Sequence, residues 1–139
     1  MSEAPEALRL ARMWAERAEE DLFVAGQLLS PGESCPYSTI CFHAQQSVEK
    51  YIKALLVSLS IPFPKVHDVG ELLNLVPTSI KIPFSTEEQE QLTFYATTAR
   101  YPGDYEPVSR EDAEEMVSAA KKLRDAVRAH LPKEALNTT

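Results

Sequence analysis

The sequence predicts an all-α protein, an antiparallel bundle of three long and two shorter helices, and three observations carry that expectation. Apolar residues recur at steps of three and four over long stretches, the spacing of one helical face. Prolines and glycines gather at the joints between these stretches, where they end helices instead of interrupting them. No segment has the length of a strand: Ile80-Lys81-Ile82 is short and closed off by proline.

The first helix is expected from about Glu6 to Leu29, with Leu8, Ala11, Ala15, Ala18, Leu22, Ala25 and Leu29 on one face and Trp14, Phe23 and Leu28 widening it. Ser30-Pro31-Gly32 ends it. The second, about Tyr37 to Leu59, has the widest apolar face: Tyr37, Ile40, Cys41, Ala44, Val48, Tyr51, Ile52, Leu55 and Leu59. At roughly 100° per residue, His43, Gln46, Lys50 and Lys53 fall together on its other side. Ile61-Pro62-Phe63-Pro64 closes it. A short third helix follows with Asp68 as N-cap and Leu72, Leu73 and Val76 facing inward. After a loop over 77–84, Ser85 and Glu88 have capping-box spacing for a fourth helix bearing Leu92, Tyr95, Ala96 and Ala99, which stops at Tyr101-Pro102-Gly103. The last helix starts at Ser109, with Asp112 three residues on, and buries Ala113, Met116, Val117, Ala120, Leu123 and Val127.

A chain of 139 residues is the size of one domain, spanning 1–139, and long enough to bury a core. Charged residues interrupt every apolar run before the ~20 residues that span a bilayer. The first residues lack the basic-then-apolar order of an export signal, so the expected compartment is the cytoplasm. Cys35 and Cys41 lack metal or redox spacing and are expected to be packing or surface thiols. Three histidines, at 43, 67 and 130, share no ligand-like spacing, so no metal site is expected. No Walker loop, GxGxxG, HExxH or GxSxG motif is present, and no cofactor is expected.

The net charge of −7 argues against a broad DNA-binding surface, since phosphate affinity comes largely from Lys and Arg. Its distribution matters more. Residues 1–32 carry three basic and six acidic groups, and 69–108 carry two and six. Residues 33–68 and 109–139 balance, with three and six of each sign. A small anion site is therefore compatible with the chain.

The second-helix string Cys-Phe-His-Ala-Gln-Gln-Ser-Val-Glu-Lys-Tyr-Ile-Lys-Ala-Leu-Leu, residues 41–56, resembles the HEPN (higher eukaryotes and prokaryotes nucleotide-binding) family. Val66-His67-Asp68 before Leu72-Leu73, and Ala99-Arg100-Tyr101-Pro102-Gly103-Asp104-Tyr105, match in order. The resemblance runs from about Trp14 to Leu131. It implies an up-and-down antiparallel helical bundle of four to five helices that is usually a homodimer, often beside a minimal nucleotidyltransferase partner. It also implies one of two roles: a nucleotide- or partner-binding module without its own catalysis, or a ribonuclease toxin of a toxin–antitoxin pair. The ribonuclease group places an Arg and a His four to six residues apart near the beginning of a helix. Arg100 has no such histidine; Arg124 and His130 have the spacing, but near the end of the last helix and about 120° apart in azimuth.

The candidate binding residues are His43, Gln46, Lys50, Lys53, His67, Arg100, Tyr101, Asp104 and Tyr105. Each has a plain structural reading beside the functional one. The helical stripe is either a solvated face or a set of phosphate and base donors. His67 and Asp68 either begin a helix or supply a hydrogen-bonding, proton-exchanging group. Arg100 either closes a helix C-terminus or binds phosphate, with Tyr101 and Tyr105 placed to stack on a base. Glu49 falls between the two faces and suits a structural pairing with Lys53 at i, i+4.

Overall fold

A computed structural model describes residues 4–29, 35–97 and 107–136. The described residues contain six helices and no strand: α1 (Ala4–Leu28), α2 (Tyr37–Ser58), α3 (Val69–Leu73), α4 (Thr86–Thr97), α5 (Arg110–Arg128) and α6 (Lys133–Leu136). None of them is long and apolar enough to cross a membrane. The expected ends of the first and fourth helices, at Ser30-Pro31-Gly32 and Tyr101-Pro102-Gly103, lie outside the described residues.

Local chemistry sets most of the visible boundaries. The Asp68 carboxylate accepts from the Glu71 amide and starts α3. Ser85 and Glu88 exchange the two bonds of a capping box, at 3.0 and 2.8 Å, and Ser109 and Asp112 do the same at 3.1 and 3.0 Å. The end of α2 is a six-residue closure: the Ile61 amide donates to the Leu56 carbonyl at 2.9 Å, and Ser60, at φ 59°, donates to Val57. That pattern satisfies carbonyls the helix leaves open. Pro62 then prevents continuation.

Packing differs from expectation in one important respect. The second helix does not have a wet side along its C-terminal half. All six residues from Tyr51 to Leu56 are buried, because α1, α4 and α5 enclose α2 from different directions. Lys53 is among them, so the expected solvated stripe is corrected at that position. Two apolar residues move the other way. Phe23 is 64% exposed at the rim of a cleft between α1, α6 and the end of α5, and Leu59 is exposed past the end of α2. The apolar stripe of α1 is thus narrower than its sequence suggests. Alanines 11, 15, 18 and 25 line that stripe, and their small side chains allow close approach to α2.

Candidate functional site

The polar residues of α2 are organised around two carboxylates. Asp21, on α1, takes Nδ1 of His43 at 2.9 Å on one oxygen and Nζ of Lys50 at 2.7 Å on the other. Glu49, on α2 itself, is bonded by Lys53 Nζ at 2.8 Å, Gln45 Nε2 at 2.8 Å and His67 Nδ1 at 3.0 Å. Gln46 Nε2 donates to the Gln45 side-chain oxygen Oε1 at 2.8 Å and joins the second group. The stripe is therefore neither loose nor uniformly solvated.

The Glu49 group is built from the inside outward. Lys53 lies with its ammonium 5.3 Å from the Trp14 ring and 5.7 Å from the Phe63 ring, a cation–π cage supplied by α1 and the closing loop of α2. Its four-carbon stem fills apolar space while its head meets Glu49. Burial pushes the Glu49 carboxyl up, but hydrogen bonds from Lys53, Gln45 and His67, with the Lys53 charge, outweigh it and hold the acid below its ordinary range. At the outer end stands His67, whose side chain is 68% exposed while that of Glu49 is 4% exposed. With Glu49 ionised, Nδ1 carries the donated proton. Nε2 has no partner among the described residues and is left to a ligand or to water.

A third polar group lies across the α1–α5 seam. The Tyr51 hydroxyl donates to Glu19 and accepts from Arg128 at 3.3 Å, and Arg124 reaches Glu19 at 3.4 Å. Burial and the Glu19 carboxylate push the Tyr51 phenol well above its usual range, so it stays a neutral donor. Cys41 is buried and its thiol is pushed up to about 12, first by burial and then by the charge of Asp112. It packs and does not react.

The family model for the HEPN domain matches residues 11–130. The chain belongs to the HEPN family. It is 31% identical to a Methanocaldococcus jannaschii protein named as a candidate toxin, MJ1304, over 89% of this chain and 90% of that protein. The crystal structure of TT1696 from Thermus thermophilus superposes with a TM-score of 0.72 at 28% identity, covering 87% of this chain and 98% of that one. ST0689, an archaeal HEPN homologue, gives a TM-score of 0.64 at 25% identity, covering 88% and 98%.

In this HEPN chain the sequence-derived candidates divide into three sets. His43 and Lys50 meet at Asp21; Gln46, Lys53 and His67 meet around Glu49. Arg100, Tyr101, Asp104 and Tyr105 lie outside the described residues. Arg124 and His130 do not form one site within the chain. Arg124 is bonded to Glu19 and Asp125, whereas His130 lines a different cleft with Lys81. Sequence reasoning missed Asp21 and Glu19, which read there only as part of an acidic stretch. Their positions beside Ala18 and Leu22 in the apolar stripe were the signal that they face a neighbouring helix. Among the described residues no group of three His, Cys, Asp or Glu comes together as metal donors.

Proposed function

We propose that this chain is a HEPN module that binds a nucleotide, or the nucleotidyltransferase that uses one, and performs no catalysis alone. The observation that carries the reading is His67, an exposed imidazole held by a buried carboxylate that is itself fixed by Lys53 and Gln45. A ring oriented in this way presents Nε2, the acceptor of the Nδ1–H tautomer, at a fixed place, which lowers the ordering cost of a hydrogen bond from a base amino group or a sugar hydroxyl. Arg100, with Tyr101 and Tyr105, supplies the phosphate fork and stacking surfaces of this proposal; Asp104, His43, Gln46 and Lys50 are its remaining polar groups. Lys53 enters only through Glu49. The chain is expected to act as a homodimer.

Isothermal titration with ATP, GTP and UTP tests the nucleotide arm on wild type and His67→Ala. A measurable heat for at least one nucleotide, weakened about 5-fold in the variant, is expected from the loss of one neutral hydrogen bond. No heat and no thermal shift with any of the three removes that arm. Failure of a co-expressed nucleotidyltransferase to co-purify removes the other.

A second reading, a ribonuclease toxin of a toxin–antitoxin pair, is favoured by the likeness to the M. jannaschii candidate toxin. The dispersal of Arg124 and His130 weighs against it. Expression of the chain alone separates the two: slowed growth with degraded cellular RNA supports the toxin, and normal growth with intact RNA supports the binding module.

A further inference from the structure

On the face formed by the 77–84 loop and the last turns of α5 lies a cleft of about 710 Å³, lined by Leu73, Val76, Ile80, Ile82 and Phe84 with Lys81 and His130 among its polar groups. That volume falls within the range of small-molecule sites. We propose that this cleft binds a small organic anion with an apolar body, its anionic group between Lys81 and His130.

Charge selects the ligand class. In a chain of net charge −7, none of the described lining residues of this cleft is a carboxylate. The cleft beside α1 is lined by Glu16, Glu19 and Glu20, and the one between α4 and α5 by Glu87, Glu88, Glu114 and Glu115. Lys81 and His130 are exposed, and neither side chain has an ion-pair partner among the described residues. The C-terminal end of α5 opposes an anion with roughly half a negative charge, which the full charge of Lys81 outweighs. His130 adds an N–H donor in whichever tautomer places it inward.

The apolar part is fixed before any ligand arrives. The Ile80 amide donates to the Pro77 carbonyl at 3.0 Å and the Phe84 amide to the Ile82 carbonyl at 2.9 Å. Gln89 Nε2 donates to the Phe84 carbonyl at 3.2 Å, tying the loop to α4. Pro77 and Pro83 remove further backbone freedom. A flat hydrocarbon body set on Val76, Ile80 and Phe84 buries apolar surface on both sides, and the anionic oxygens supply orientation.

The test is an amide-resonance titration of the full chain with 2-naphthoate, 2-naphthyl phosphate and the neutral 2-naphthamide. Either anion is expected to shift the resonances of Asn74, Lys81, Ile82, Ala129 and His130, and the tighter of the two identifies a carboxylate or a phosphate ester as the natural group. The neutral amide should bind at least about 10-fold more weakly, and Lys81→Ala should lower anion affinity by about 10-fold. His67→Ala should leave the titration unchanged, since that residue is not among those lining the cleft. Equal binding of the amide, shifts spread away from the cleft, or an unaffected Lys81→Ala variant would overturn the proposal.

Discussion

Glu49 receives three hydrogen bonds at once, and the consequences of that arrangement are measurable one side chain at a time. Removing the carboxylate strands the Lys53 ammonium in a space that is nearly closed. Glu49→Ala is therefore expected to cost about 3–5 kcal/mol in urea unfolding, while Lys53→Met, which keeps the stem, costs less. The acid is held below its unfolded value, so its contribution is present above the ordinary carboxylate pKa and is lost as pH falls through the folded one. The stability gap between wild type and Glu49→Gln should accordingly narrow as unfolding is repeated from neutral pH into the acid range. A constant gap would mean that the pairing does not depress the acid. The sequence showed the i, i+4 relation of Glu49 and Lys53, since that geometry is local. It did not show that the pair is buried, because the cage comes from Trp14 on another helix and Phe63 beyond the end of α2.

Helix ends obey the same division. Both capping boxes could be read from the sequence, as their partners are three residues apart and depend on nothing else. The closure of α2 was visible only as a proline-rich stop. The structure puts a non-glycine residue, Ser60, in the left-handed region at the position where glycine is most common. Ser60→Gly relieves about 1 kcal/mol of that conformation's cost and should raise the unfolding midpoint; a lowered midpoint would show that the serine is favoured there. The last element, α6, escaped the sequence reading because four residues make a single turn with no periodicity to detect. It is defined by tertiary contact, packing on α1, where Arg12 Nε donates to the Glu134 carbonyl at 3.0 Å.

Across the whole molecule, the order of burial follows from α2 standing at the centre. An apolar stripe tells which side of a helix is driest, but not how many neighbours surround it. The fold class was thus legible from α1 and α5, while the inner position of α2 came from the joint packing of α1, α4 and α5. Two substitutions measure this difference. Leu56→Ala, at a fully buried site, is expected to cost about 2–5 kcal/mol. Phe23→Ser, at a residue that the sequence placed in the same kind of stripe, should stay within about 0.5 kcal/mol of wild type. Comparable losses at both sites would contradict the exposed position of Phe23. The candidate site was legible to the extent that its residues lie on α2 and at the start of α3. Which carboxylate holds which cation was not, since Asp21 comes from another helix.

The caged Lys53 also gives the molecule an optical property. Trp14 is the only tryptophan in the chain, and its ring stands 5.3 Å from a full positive charge that is balanced by Glu49. His67 touches that same carboxylate from the solvent side. Any occupant that draws the imidazole outward changes the field across the indole, so the native emission colour should move on binding without an attached dye. Trp14 emission is thus expected to act as a fluorescent gauge of the His67 surface, readable in the untagged chain and abolished by Trp14→Phe.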